Sequence, residues 1–310
     1  MGSGEIGLPT LRWLANAPEL FLVGIVTQPD KPVGRSQILS SPAPKRLAAA
    51  LDLPILQPTK VRRAEELDRI SELSPDLIVV MAYGQILPKI LLEMPKLACL
   101  NLHASILPRH RGAAPIQASI LAGDRITGLT VMYMAEGLDT GDILLTSQIS
   151  IRRRETGGSL HDRLAELGPQ ALASAVELVI SHRAPRIPQD ESKATYAAKL
   201  DRESGRIDWS RDCWHLDRLI RAMNPWPGAF TFVPTAGMGK KLKVHRALPV
   251  HRLSGQEGMV HHIGDRGIVV TCGRGALLLL EVQLEGKRRM SAVEFVRGFA
   301  LPVGTILGSE

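Results

Sequence analysis

The sequence predicts an α/β protein in two parts, a doubly wound parallel sheet followed by a small antiparallel sheet or barrel. The chain has 310 residues, about two domains at the usual size of roughly 100 to 200 residues. Up to about residue 180, short apolar runs alternate with segments of helical period. Beyond that point, short strand-like runs stand between glycines. We therefore expect domains at residues 1–182 and 206–310, joined by a linker at 183–205.

The first part contains four runs of apolar and β-branched residues that predict buried strands, at 20–27, 77–81, 98–103 and 129–133. Helices are predicted at 44–51, 64–73, 115–121 and 159–181. Strands that are apolar on both faces and separated by helices are typical of a parallel sheet covered on both sides. In such sheets, ligands bind beyond the carboxyl ends of the strands.

The second part begins after the segment H-R-A-P-R-I-P-Q-D-E-S-K, whose prolines and polar residues indicate a linker. A helix is predicted at 212–223. Strands are predicted at 229–233, 241–247, 267–271 and 276–282.

The positive charge is concentrated in this second part. The whole chain has a net charge of +7, and residues 206–310 hold 15 Lys and Arg against 9 Asp and Glu. Such segregation favours a polyanionic partner such as nucleic acid, although plain solubility also explains a modest excess.

The cysteines favour a reducing compartment, because Cys99, Cys213 and Cys272 are isolated and form no C-x-x-C pair. No apolar run approaches the 18 or so residues of a membrane helix, and the start has no basic leader before an apolar segment. We expect a cytoplasmic, monomeric protein without a structural metal.

Asn101 and His103 stand two residues apart at the end of a predicted strand, so their side chains leave the same face of the sheet. Asp139 follows another predicted strand, where a second wall of the same pocket is expected. An amide donor, an imidazole and a carboxylate together suit acyl transfer. No nucleophile motif accompanies His103, which favours direct attack by a substrate amine. Taken alone, this spacing is more typical of a structural role.

Seven motifs occur in a fixed order: T-Q-P-D-K-P-V-G-R (27–35), A-Y-G-Q-I-L-P (82–88), N-L-H-A-S-I-L-P-R-H-R-G-A-A-P-I-Q (101–117), G-L-D-T-G-D (137–142), L-A-E-L-G-P-Q (164–170), R-I-D-W (206–209) and I-R-A-M-N-P-W-P (220–227). The set resembles the formyltransferases that use 10-formyltetrahydrofolate, from residue 1 to about residue 306. The resemblance implies a Rossmann-like catalytic domain and a C-terminal barrel of OB-like type.

The resemblance also implies roles for the residues. Asn101 and protonated His103 stabilise the tetrahedral oxyanion formed when an α-amine attacks the formyl carbon, and Asp139 holds His103 and a water. The implied acceptor is methionyl-initiator tRNA. The alternatives are a small amino sugar or nucleotide as acceptor, or an RNA-binding relative without catalysis.

Two further groups follow from the resemblance. The tetrahydrofolate contacts implied by it are Ser105, Ile106, Leu107, Pro108, Ala82, Tyr83, Gly84, Ile86 and Leu87. Basic residues are expected to bind tRNA, and they are Arg35, Lys240, Lys241, Lys243, Lys287 and Arg288.

The chain departs from this family at two places. In the family a hydrophobic strand precedes the segment that begins here at Met1, so we expect the first strand to be missing. The loop after Asp30 has Lys31 and Arg35 where relatives often place several basic residues, which predicts a shallower salt dependence of tRNA binding.

Other polar residues have plainer explanations. Asp142 is expected to cap a turn rather than to act in catalysis. His261 and His262 are adjacent in a predicted strand and point to opposite faces, which argues against a metal pair.

Overall fold

The computed structural model describes residues 1–33, 37–235 and 238–308. The chain divides into two compact units. The first contains Met1–Pro115, Ile126–Ser150 and His161–Ala197, and the second contains Ile116–Arg125, Ile151–Leu160 and Ala198–Glu310. The segment predicted as a linker, 183–205, is thus shared between them, because its residues up to Ala197 belong to the first unit.

The α-helices follow the apolar period of the sequence. Those of the described residues are α1 (Leu8–Asn16), α2 (Ala43–Ala50), α3 (Ala64–Glu72), α4 (Lys89–Leu92), α5 (Pro115–Ala122), α6 (Gly157–Ile180), α7 (Cys213–Ala222) and α8 (Ala292–Gly298).

The β-strands of the described residues range from two to eleven residues. They are β1 (Ile25–Val26), β2 (Lys31–Val33), β3 (Ile38–Ser40), β4 (Ile55–Leu56), β5 (Leu77–Val80), β6 (Ala98–His103), β7 (Arg111–Gly112), β8 (Ile126–Tyr133), β9 (Ile143–Ser150), β10 (Tyr196–Ala197), β11 (Ala229–Val233), β12 (Lys240–Val250), β13 (Val260–Gly264), β14 (Gly267–Thr271), β15 (Ala276–Leu284) and β16 (Met290–Ser291).

The first unit is built around a sheet with the order β5-β6-β8-β9. β5 and β6 run parallel, whereas β8 is antiparallel to both β6 and β9. All six residues of β6 are buried, which places this strand at the centre of the core. The predicted α/β fold class is confirmed, and the sheet continues on one side as an antiparallel hairpin.

The strand predicted at 20–27 is reduced to Ile25–Val26, which pairs in parallel with β4. β-Propensity alone does not make a strand, and β4 offers only Ile55 and Leu56 as partners.

Residues 1 and 2 lie between the two parallel pairs. The Met1 amino group donates to the Val79 carbonyl (2.5 Å), and the Gly2 N–H donates to the Val26 carbonyl (3.0 Å). Gly2 also forms a parallel bridge with Met81. An apolar cavity of about 480 Å³ adjoins these residues, lined in part by Ile25 and Ile78. This cavity contains none of the residues predicted for catalysis.

The second unit carries an antiparallel sheet with the order β11-β12-β15-β14-β13, and β16 pairs with β15. Asp212 caps α7, because its carboxylate accepts hydrogen bonds from the Trp214 and His215 N–H groups. The strands predicted at 229–233 and 267–271 match β11 and β14, and the other two predicted strands extend further than expected. The small antiparallel domain is therefore confirmed.

Candidate functional site

The register of the first sheet places Asn101 and His103 at one end of the central strand. Asn101 lies opposite Val80 of β5 and Met132 of β8, and His103 lies opposite Thr130. Asn101 is 9% exposed and His103 is 6% exposed. Because side chains alternate along a strand, the two face the same side of the sheet, as the sequence predicted.

Asp139 reaches the same place from the loop between β8 and β9. Its Oδ1 lies 3.4 Å from Asn101 Nδ2, and its Oδ2 lies 3.6 Å from His103 Nδ1. Oδ2 also accepts a hydrogen bond of 2.8 Å from the backbone N–H of Gly112. The structure therefore brings the three predicted catalytic side chains together, although they are separated by up to 38 residues in sequence.

Two oxygen groups surround the His103 ring. His103 Nε2 lies 2.8 Å from the carbonyl oxygen of His110, and Nδ1 lies 3.6 Å from the Asp139 carboxylate. The carbonyl fixes the direction of the ring, and the carboxylate lies on its other side. Within the part of the chain that the structure describes, the Asn101 side chain makes only the long contact to Asp139, so its amide can turn a donor toward a reacting carbonyl.

Gly112 supplies the N–H that holds Asp139, and only glycine suits its position. Its φ is +110°, and a Cβ atom there would lie 2.6 Å from the carbonyl oxygen of Ala197. The clash arises because β7 pairs in parallel with β10, with Gly112 opposite Ala197. A side chain at position 112 therefore displaces either β10 or the N–H that binds the carboxylate.

Sequence reasoning missed the segment that encloses this site, Ile187 to Ala197, which we term the strap. The Ile187 and Ile143 backbones exchange two hydrogen bonds, of 2.8 and 3.0 Å. The Thr195 hydroxyl accepts from the His110 N–H, and the Thr195 carbonyl accepts from the Arg111 N–H. The signal in the sequence is weak, because the strap has the polar and proline-containing composition of a linker.

The predicted folate turn at 105–108 is rigid. The Ser105 hydroxyl donates to the Arg109 carbonyl, and the Thr130 hydroxyl donates to the Ser105 carbonyl while accepting from the Leu107 N–H. The Leu107–Pro108 peptide bond is cis. Ser105 and Leu107 are buried, whereas Ile106 and Pro108 are partly exposed. The turn thus presents these last two residues.

The second predicted folate segment follows β5, beside the end of β6. Ala82 and Gly84 have positive φ values of 50° and 82°, and Ile86 is 85% exposed. Leu87 is buried, as is Tyr83, and burial raises the pKa of the Tyr83 hydroxyl to about 12. The surface of this loop is therefore formed by its backbone and by Ile86.

The predicted RNA-contacting residues of the second unit lie on and near β12. Lys241 and Lys243 alternate with the buried Leu242. They lie opposite Phe232 and Phe230, and Lys241 Nζ is 3.8 Å from the centroid of the Phe230 ring. The Lys241 ammonium thus has an aromatic ring beneath it, and both lysines are partly exposed.

The other basic residues are placed differently. Lys240 and Lys287 are exposed, and Arg288 forms an ion pair with Glu294. Arg35 lies outside the described residues.

The remaining polar candidates have local partners. Asp142 lies 3.8 Å from Arg186, and its carbonyl accepts from the Tyr133 N–H, which closes the turn. His261 and His262 are exposed on β13. Within residues 1–33, 37–235 and 238–308, no cluster of three or more His, Cys, Asp or Glu could hold a metal ion. Over the same ranges, no helix is both long and apolar enough to cross a bilayer.

Comparison with known families identifies both parts of the chain. The formyl transferase family matches residues 15–176, and the family of formyl transferase C-terminal domains matches residues 199–300.

Two similar proteins are the methionyl-tRNA formyltransferases of Methylacidiphilum infernorum and Geobacter sulfurreducens. The first is 45% identical over 312 residues, covering 100% of this chain and 97% of the relative. The second is 46% identical over 308 residues, covering 99% of this chain and 95% of the relative.

A solved structure shares the fold. The crystal structure of WlaRD, a sugar 3N-formyl transferase in the presence of dTDP and 5-N-formyl-THF, matches with a TM-score of 0.66 at 16% identity. The match covers 93% of this chain and 97% of that chain.

Proposed function

The chain belongs to the formyl transferase family, and from that premise we propose that it transfers a formyl group from 10-formyltetrahydrofolate to the α-amino group of methionyl-initiator tRNA. The observation that carries this proposal is the convergence of Asn101, His103 and Asp139 at the end of the central strand. The full-length similarity to two methionyl-tRNA formyltransferases supports the choice of acceptor.

Attack by the amine places a negative charge on the formyl oxygen, and this charge sets the role of Asn101. The Asn101 amide is buried and only loosely bound by Asp139, so it can donate to the oxyanion. The positive His103 ring stabilises the same charge through space. Such donors act strongly because they are already oriented in a site with little water.

Proton balance assigns the role of Asp139. The attacking amine loses one proton and the departing nitrogen of the donor gains one, so the site needs a relay rather than a net acid or base. The Asp139 carboxylate, held by Gly112, faces both Asn101 and His103. It accepts the amine proton through a water. The proton then passes to the departing nitrogen as the carbon–nitrogen bond of the donor breaks.

The formyl donor fits the surface between the two predicted folate segments. The loop at 82–87 offers its backbone and the exposed Ile86, and the turn at 105–108 offers Ile106 and Pro108. A flat pterin ring suits an edge of backbone hydrogen-bonding groups with apolar side chains above and below. We assign the donor to this surface and the acceptor amine to the side of Asp139.

The second unit is assigned to the tRNA. Lys241, over the Phe230 ring, and Lys243 form a pair of partly exposed charges on β12, and Lys240 and Lys287 add exposed charges. Lysines of this kind bind phosphates largely without regard to sequence. Translation initiation places the protein in the cytoplasm, where we expect it to act as a monomer.

The decisive experiment offers the protein 10-formyltetrahydrofolate with either methionyl-initiator tRNA or a nucleotide-linked amino sugar, and measures formyl transfer to each. We expect transfer to the tRNA. The His103→Ala variant should lose about 10²- to 10⁴-fold in rate while binding tRNA normally. His261→Ala, an exposed histidine of the second unit, is the matched control. Transfer to the sugar alone would replace the proposed acceptor, and tRNA binding without any transfer would indicate a non-catalytic RNA-binding protein.

A further inference from the structure

We propose that Gln189, in the strap, is the positioning residue that fixes the catalytic carboxylate of Asp139. The inference rests on the proposed function, since it concerns the geometry of that same site. Among the described residues, neither His103 nor Asn101 is a hydrogen-bond partner of Gln189. Gln189 acts through the backbone of the loop that carries Asp139.

The first step is the contact with that loop. Gln189 Nε2 donates to the carbonyl oxygen of Asp139 at 2.9 Å and to that of Gly141 at 2.7 Å. Both amide hydrogens are thereby used, and they hold the loop on both sides of Thr140. Asp139 itself has a φ of +52°, a conformation that is costly for a residue with a Cβ atom. The two hydrogen bonds from Gln189 hold Asp139 in this conformation.

The second step is what fixes Gln189. Its Oε1 accepts from Arg111 Nε at 3.1 Å and from Arg111 Nη2 at 2.8 Å. A guanidinium has donors only, so the amide oxygen must face Arg111 and the amide NH₂ group must face the loop. Arg111 is fully buried, and Glu191 of the strap binds the same guanidinium at 2.6 and 2.8 Å. The orientation of the Gln189 amide is therefore set by a buried charge.

The third step closes a ring of contacts. Arg111 adjoins Gly112, whose N–H binds the Asp139 carboxylate. Asp139 is thus held twice. Gly112 binds its carboxylate directly, and Arg111 holds its backbone carbonyl through Gln189. Two attachments on opposite sides of the Asp139 Cα fix the direction of its side chain. Without Gln189, the carboxylate keeps only the attachment at its tip.

This arrangement predicts an effect on the chemical step rather than on binding. A displacement of about 1 Å in a catalytic group can cost about 100-fold in rate. We expect Gln189→Glu to lower kcat by about 10- to 100-fold while changing KM for either substrate by less than about twofold. The carboxylate of this variant still accepts from Arg111, so the strap stays attached. It has no amide hydrogens for the Asp139 and Gly141 carbonyls.

The test compares wild type, Gln189→Glu, Gln189→Met and the control Gln148→Glu, which changes an exposed residue of β9. Steady-state kinetics give kcat and KM, thermal unfolding reports the fold, and hydrogen exchange reports the amides of residues 137–142. We expect lower kcat and faster exchange in both Gln189 variants, with the melting temperature of Gln189→Glu close to wild type.

Normal kcat in both Gln189 variants would overturn the inference, as would a loss of kcat that only follows a loss of thermal stability. If wild type transfers no formyl group, the proposed function fails, and the exchange experiment still decides whether Gln189 holds the loop. Unchanged exchange in both variants would overturn that role as well.

Discussion

The two units differ in where they place the ionisable groups to which we assign a function. In the first unit, His103 and Arg111 are buried and lie against oriented acceptors. In the second unit, Lys241 and Lys243 are partly exposed, and Lys241 lies over the Phe230 ring. Oriented charges can select one transition state, whereas surface charges attract any phosphate backbone.

This difference predicts how each unit responds to substitution. Buried groups that share hydrogen bonds act as a set, so the loss of one weakens the others and the effects do not add. Exposed lysines act almost independently, so their effects are small and additive. Four experiments can break or sharpen this comparison.

The largest effect is expected from Asn101→Ala. Removal of one donor from an oxyanion site costs about 10²- to 10³-fold in kcat. We expect a loss of this size in a formyl transfer assay, with unchanged tRNA binding. The control Asn16→Ala changes an exposed asparagine of α1 and should be silent. A loss below about tenfold would mean that the Asn101 amide stabilises the oxyanion less than its position in the site indicates.

The second experiment uses two glycines with positive φ. At Gly112, an added Cβ atom would lie 2.6 Å from the Ala197 carbonyl, whereas at Gly286, with φ +75°, it would meet nothing within 4 Å. Both Ala substitutions store about 1 to 3 kcal/mol of backbone strain. We expect Gly112→Ala to cost more stability in thermal unfolding and also to lower kcat.

Gly286→Ala should leave kcat unchanged, since Gly286 lies in a turn of the second unit. Equal losses of stability and of activity in the two variants would contradict the assigned contact between β7 and β10.

The sequence predicts well where local pattern decides the structure. The period of two in the strand at 98–103 places Asn101 and His103 on one face, because that strand is paired on both sides. The predicted limits of β11 and β14 are confirmed, because short alternating runs between glycines leave few other structures.

Long-range polar contacts could not be predicted in the same way. Arg111 is a charged residue of the two-residue strand β7, and nothing in the neighbouring sequence indicates that it is fully buried. Its partners Gln189 and Glu191 lie 78 and 80 residues away, in a segment with the composition of a linker. The position of Asp139 after a predicted strand places it only in a second wall of the same pocket, and its contact with His103 is implied by the family resemblance.

The third experiment concerns the lysines of the second unit. We expect Lys241→Gln and Lys243→Gln each to lower the slope of log affinity for tRNA against log salt by about 0.7 to 0.9, the value of one phosphate contact. The two changes should add in the double variant. Lys89→Gln, in an exposed pair with Glu93 of the first unit, is the control. If Lys89→Gln lowers the slope of log affinity against log salt as much as the double variant does, the tRNA binds elsewhere.

The smallest effect is expected from pH. Burial lowers the pKa of His245 below its ordinary value of 6.5, with Arg289 and Lys243 acting in the same direction and Gln283 and Glu281 opposing them. The unfolded chain therefore binds a proton at a higher pH than the folded chain does. Stability of the second unit should fall as pH decreases through 6.5 toward the folded pKa, and should change little above 6.5.

The Arg111–Glu191 pair of the first unit should respond at a lower pH. Arg111 holds the pKa of Glu191 below its ordinary value of 4.5, so the stability that this pair contributes is present above pH 4.5 and is lost only as pH falls further. Unfolding at pH 7.5 and 5.5 separates the titration of His245 from that of Glu191. The second unit must be followed by its own signal, because burial also lowers the pKa of the Met1 amino group of the first unit to about 6. Tryptophan fluorescence reports mainly the second unit, which holds Trp209, Trp214 and Trp226, whereas only Trp13 lies in the first.

We expect the second unit to be less stable at pH 5.5 than at pH 7.5 by less than about 1 kcal/mol. The His245 ring is only half-buried, and one pKa unit corresponds to about 1.4 kcal/mol. His245→Gln should remove part of this change, and the remainder belongs to His215, whose pKa burial also lowers. Glu191→Gln should not alter the pH response in this range. If it did, the Arg111–Glu191 pair would titrate between pH 7.5 and 5.5 rather than below pH 4.5.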